Sequence, residues 1–163
     1  VSEGCDVTLQ DIARLADVFY IGGTKQGALF GEAVVITNTR LKKDFRYCIK
    51  QNGGMLAKGR LLGIQFLTLF EDGLYFELAS HAVKEALRIR DAFKNKGFAF
   101  LAESPSNQQF PILPNEVMTK LSKNYLFSIW QKVDDNHTAV RFCTSWATRS
   151  EAVDDLINNI LSL

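Results

Sequence analysis

The stretch best placed for chemistry is Phe19-Tyr20-Ile21-Gly22-Gly23-Thr24-Lys25-Gln26-Gly27-Ala28-Leu29, which sets a lysine among three glycines and a hydroxyl at the end of an apolar run. Paired glycines let a backbone approach a ligand closely. Thr24 can donate to a phosphate, and a lysine partly withdrawn from water has a lowered pKa that frees its amine for Schiff-base chemistry. The same residues also fit an ordinary strand-ending turn with a solvated lysine, and local chemistry leaves both readings open. A nucleotide-binding P-loop is excluded, because no glycine stands five residues ahead of a Gly-Lys-Ser/Thr.

The other reactive residue types are sparse. Cys5, Cys48 and Cys143 are odd in number, far apart and in no metal-ligand spacing, so neither a disulfide framework nor a zinc site is expected. Buried or half-buried thiols are the plain expectation. His81 falls in a long predicted helix and His137 in the polar turn Asp134-Asp135-Asn136-His137, both in structural roles. Trp130 and Trp146 read as core or rim aromatics.

The elements that must position these residues come from a chain of 163 residues, 47% hydrophobic, with a net charge of +1. That supports one good core and offers no basic field for nucleic acid or anionic lipid. No apolar run reaches membrane-spanning length, and the opening Val1-Ser2-Glu3-Gly4-Cys5-Asp6 lacks signal-peptide layout, so a cytoplasmic protein is expected. The polar opening without methionine reads as a connection between elements, as in part of a longer protein.

Thr8 and Asp11 form a capping-box pattern for a helix ending near Asp17. Residues 18–21 and 33–36 are β-rich runs, read as strands of a buried sheet with Lys25 on the loop between them. Leu41, Phe45, Cys48 and Ile49 predict a helix over 39–51, closed by Asn52-Gly53-Gly54. Two helices follow, over 56–70 and from Asp72 to about Gly97, with a break near 71–73. Short apolar runs at 98–102, 110–113, 126–130 and 139–144 alternate with turns and one helix after Pro114, which describes a small α+β lobe. A last helix has a Thr148/Glu151 capping box and an apolar face of Ala152, Val153, Leu156, Ile157 and Ile160.

The run at 19–36, then Gly53-Gly54-Met55-Leu56-Ala57-Lys58-Gly59-Arg60, and then Val140-Arg141-Phe142-Cys143-Thr144-Ser145-Trp146-Ala147-Thr148 resemble, in order and separation, the second half of threonine aldolases and related β-eliminating lyases. The resemblance covers essentially the whole chain and is closest to the branch whose lysine loop reads Gly-Gly-Thr-Lys. It implies an α/β fold: the C-terminal portion of a pyridoxal-phosphate fold type I enzyme, with the last strands and helices of the large domain over 1–96 and a small α+β C-terminal domain over 97–163.

The resemblance further implies pyridoxal phosphate held covalently by Lys25, with Thr24 and Lys50 near the cofactor and Arg141 on the substrate carboxylate. An arginine suits that role because its planar fork pairs a carboxylate bidentately. Lys58 and Arg60 are weaker candidates for phosphate or interface contacts. The better-known branch reads Met-Arg-Gln where this chain has Met55-Leu56-Ala57, so no matching arginine is offered for a cross-subunit phosphate contact.

The implied activity is retro-aldol cleavage of a β-hydroxy-α-amino acid to glycine and an aldehyde by a homo-oligomer, with β-elimination as the enzymatic alternative. A non-catalytic assembly module is the alternative of another class. The aspartate for the pyridinium nitrogen, the ring-stacking side chain and the phosphate loop precede the lysine in the family, and would precede Val1. These 163 residues alone are therefore expected to be inactive and to expose the edge of the 18–36 region, which invites association.

Overall fold

The computed structural model describes residues 5–163, so the opening read as a connection lies, up to Gly4, outside the described residues. By packing, the chain divides into two compact units, Asp6–Glu77 and Leu78–Leu163.

In the first unit, α1 (Leu9–Leu15) starts at the expected capping box: the Thr8 hydroxyl accepts from the Asp11 amide, and the Asp11 carboxylate accepts from the Thr8 amide. The two β-rich runs form β1 (Val18–Gly22) and β2 (Glu32–Ile36), paired antiparallel with Tyr20 opposite Val34. They are a two-stranded ribbon rather than part of a buried sheet. One face of each strand is exposed, with Val18, Tyr20 and Val34 outward, and among the described residues β1 and β2 pair only with each other.

The helix expected over 39–51 is broken. A 3-10 turn (Thr39–Lys42) is followed by α2 (Phe45–Gln51), and between them Asp44 takes a left-handed conformation at φ 58°. Next, α3 (Arg60–Phe70) starts four residues later than expected, because residues 52–59 form turns after the glycine pair. The predicted break is present as a 3-10 turn (Glu71–Gly73), with Asp72 and Gly73 both at positive φ, and α4 (Leu74–Asn95) follows it across the boundary between the units.

The second unit holds a sheet in which β6 (His137–Cys143) is central. On one edge it pairs antiparallel with β3 (Gln108–Gln109) and β4 (Ile112–Pro114), and on the other with β5 (Ser128–Lys132). The apolar run at 98–102 makes only a single bridge, Phe100 to Pro111. The helix after Pro114 is α5 (Asn115–Leu121), and α6 (Ser150–Leu161) is the last element.

Residues of β6 alternate across the sheet. Val140 and Phe142 enter a core with Phe93, Leu113, Leu121, Val153, Leu156 and Ile160, while Arg141 and Cys143 share the other face. The expected apolar face of α6 supplies three of these core residues. Its expected capping box does not form: Arg149 is the N-cap and gives no side-chain bond, and the Thr148 hydroxyl instead accepts from the Ser145 amide. The helix start is held from α4, where Ser150 Oγ donates to the buried Glu85 at 2.9 Å and Arg88 donates to Glu85 at 2.7 Å and to Asp154. Arg88 is held above its ordinary pKa chiefly by the Asp154 carboxylate.

Candidate active site

Lys25 sits on a 3-10 turn (Thr24–Gln26) between β1 and β2. The turn closes because the Gly23 carbonyl accepts from the Gln26 and Ala28 amides, and Gly27 ends it at φ 99°, a backbone conformation that suits glycine. Gly23 is packed rather than open to a ligand: a Cβ there would lie 2.7 Å from the Ala28 Cβ and 3.0 Å from the Phe66 ring.

Two side chains from helices fix the ends of this turn. The Tyr75 hydroxyl, on α4, donates to the Gly22 carbonyl at 2.9 Å, and its ring stacks on Phe70 at 4.9 Å. Burial pushes the Tyr75 phenol above its ordinary pKa. Gln65, on α3, accepts from the Leu29 amide at 2.6 Å and donates to the Phe30 carbonyl. Neither residue stands out in the sequence, because both act on the turn across 35 positions or more.

Lys25 and Thr24 themselves are exposed, which corrects the expectation of a lysine partly withdrawn from water by this segment. Neither the Lys25 amine nor the Thr24 hydroxyl has a partner among the described residues. That arrangement fits a covalent cofactor: a free amine on a turn whose backbone is fixed before it and after it.

Lys50 is on the last turn of α2 and borders a groove of about 310 Å³ with Arg46, Tyr47 and Met55. Lys58 and Arg60 border a hollow of about 410 Å³ at the start of α3 with Ala57 and Leu61. These basic residues lie in the same unit as Lys25, and Arg141 lies in the other.

Arg141 is half-buried on β6. Its Nη1 donates to Gln108 Oε1 and its Nη2 to Ser128 Oγ, each at 3.3 Å, and its guanidinium lies 5.3 Å from the Trp130 ring. No carboxylate pairs with it among the described residues, so the alternative of a strand arginine paired to a surface acid does not describe it. Its unneutralised charge leaves it free to take an anion.

The remaining candidates are structural. His81 Nε2 lies 2.7 Å from the Thr148 carbonyl, and His137 Nδ1 is 3.0 Å from Asp134. Bonds from the Asn136 amide and the His137 side chain hold the Asp134 carboxyl below its ordinary pKa. Cys5, Cys48 and Cys143 are all exposed, contrary to the buried thiols expected.

No family model matches the chain. Among curated proteins it is 31% identical over 150 residues to a low-specificity L-threonine aldolase of a Pseudomonas species, and 29% identical to one from Pseudomonas aeruginosa. Each match covers 88% of this chain and 41% of the relative. A solved threonine aldolase structure from Leishmania major superposes with a TM-score of 0.92 at 42% identity, over 95% of this chain and 45% of that one.

The protein thus has a mixed α/β fold that is shared, over nearly all of its length, with part of a threonine aldolase. By sequence as well as structure it is similar to threonine aldolases, spanning under half the length of those it matches.

Proposed function

We propose that the complete protein is a pyridoxal-phosphate lyase that cleaves threonine or a related β-hydroxy-α-amino acid to glycine and an aldehyde, with this chain as its C-terminal portion. The observation that carries the reading is a free lysine amine on a braced Gly-Gly-Thr-Lys turn, in a chain whose relatives are threonine aldolases. When bound, the cofactor supplies an electron sink for the pair released as a bond to the substrate Cα breaks.

This chain's residues would then divide the work. Lys25 holds the cofactor through Nζ, Thr24 and Lys50 serve as polar contacts for it, and Arg141 binds the substrate carboxylate. Fixing that carboxylate fixes which Cα bond is aligned to break. Residues 97–163 are read as the small C-terminal domain of the whole protein. Exposed Leu61, Ile64 and Leu67 on α3 favour a homo-oligomer, dimer or tetramer, since apolar faces of this kind are commonly covered by partners. The complete protein is read as cytoplasmic; among the described residues no helix is long and apolar enough to cross a membrane.

The test is threonine cleavage by the complete protein. Glycine and acetaldehyde should form, and Lys25→Ala should lower kcat by at least about 10³-fold, as expected when a covalent catalytic group is removed. Borohydride reduction and peptide mapping should put a pyridoxyl group on Lys25. Pyruvate and ammonia from a β-substituted substrate, without threonine cleavage, would replace the aldolase by a β-eliminating lyase. Residues 1–163 expressed alone should show no cleavage.

A further inference from the structure

The surroundings of Arg141 are more specific than a carboxylate-binding role requires. A guanidinium has five N–H donors in one plane, and each of its approaches can be occupied separately. Nε is enclosed and has no partner, so a ligand cannot pair side-on through Nε and one Nη without displacing protein. Each Nη carries a second N–H, because Gln108 and Ser128 take only one donor apiece. Both acceptors are neutral and both bonds are long at 3.3 Å, so they orient the group without cancelling its charge.

One face of the guanidinium is also occupied. Ile129 pairs with Val140 and Gln131 with Ala139, so Trp130 is the extra residue of a β-bulge in β5. Bulges redirect a side chain that regular pairing would aim elsewhere. Here the indole lies over Arg141 at 5.3 Å, and the Phe110 ring meets it edge-on at 5.1 Å, 63° from parallel. An anion is thereby kept off that face and directed to the outer edge of the fork.

We propose that Gln108, Ser128 and Trp130 are positioning residues that hold Arg141 to receive a planar carboxylate end-on, through Nη1 and Nη2. The inference deepens the assignment of Arg141 to the substrate carboxylate and rests on it. Its consequence is selectivity for a free α-carboxylate over the corresponding amide, set by residues that do not touch the substrate.

Gln108→Leu removes the acceptor of Arg141 Nη1 without adding charge, and Gln108→Glu puts a carboxylate where Arg141 now has a neutral partner. Binding of glycine and of glycinamide to the cofactor-loaded complete protein is measured by titration calorimetry, with the melting temperature in parallel. In Gln108→Glu glycine affinity should fall about tenfold or more, the scale of one lost charge-assisted contact, while glycinamide affinity stays within about twofold and the melting temperature does not fall. Loss of glycine binding in Gln108→Glu would follow from Arg141 alone, so Gln108→Leu decides the role of Gln108: a positioning residue weakens glycine several-fold and leaves glycinamide within about twofold, and a purely structural one leaves both unchanged.

Trp130→Leu should weaken glycine several-fold, within the reach of a lost cation–π contact, and Trp130→Phe should restore most of it. In threonine cleavage both losses should raise KM more than they lower kcat. Arg141→Ala separates the two levels of the claim. If it abolishes the glycine preference while Gln108→Leu and Trp130→Leu bind glycine normally, the positioning inference is overturned and Arg141 keeps its role. If Arg141→Ala retains the preference, the role of Arg141 falls, and the positioning inference falls with it.

Discussion

The two units differ in what they bury. The unit Leu78–Leu163 has a core with Phe93, Leu113, Val140 and Ile160 fully enclosed, whereas within Asp6–Glu77 only Ala28 and Leu69 are buried apolar residues among those described. In the latter, Leu15, Leu29 and Leu67 are 88%, 82% and 69% exposed. The unit carrying the candidate cofactor lysine is therefore shaped by caps, turns and single side-chain tethers, and the unit carrying Arg141 by packing. Substitutions should act on them through different physics.

The largest effect is expected in the packed unit. Phe93→Ala should cost about 3–5 kcal/mol in denaturant unfolding of the complete protein, because it opens a cavity against Phe98 and Phe142. Leu67→Ser should change unfolding by only about 0.5 kcal/mol in a monomer, and a lower mass in light scattering would reveal that its face is covered by another subunit. Equal effects of the two substitutions on a monomer would erase the contrast between the units.

An intermediate effect is expected at Gly31, at φ 91°. There Gly31→Ala should cost about 1–2 kcal/mol through backbone strain, with Leu62 turning aside to make room. The smallest is a pH effect at α1. Bonds from the Thr8 hydroxyl and amide, then from Arg14, hold the Asp11 carboxyl below its ordinary value of 3.8. The folded value lies below the unfolded one, so the contribution is present above 3.8 and is lost as pH falls through the lowered folded value. The protection of the Thr8 and Asp11 amides, corrected for the intrinsic pH dependence of exchange, should fall over that acid range, and Asp11→Asn should abolish the pH step.

What was legible in the sequence follows the same contrast. The Thr8/Asp11 cap, the break at 71–73 and the core face of α6 were readable because each is decided by residues within a few positions. The expected Thr148 cap is absent although its signal is equally local, because Ser145 competes for the same hydroxyl and wins. The β-rich runs are strands, as their composition indicates, but are not buried, since alternation says which residues share a face and not what covers it.

Lys25 and Arg141 were singled out by motif as candidates, but the groups that hold each of them were not legible. Gln65, Tyr75, Gln108 and Ser128 reach their partners across 13 to 53 positions and are ordinary residue types at those places. Trp130 read as a rim aromatic, and nothing local announces the bulge that turns it over Arg141.

The Tyr75 tether has a consequence for alkaline solution. A phenol at its ordinary pKa would begin to ionise there and cease to donate to the Gly22 carbonyl. Because burial raises the Tyr75 pKa, its proton persists further into base, and the turn that carries Lys25 stays anchored there.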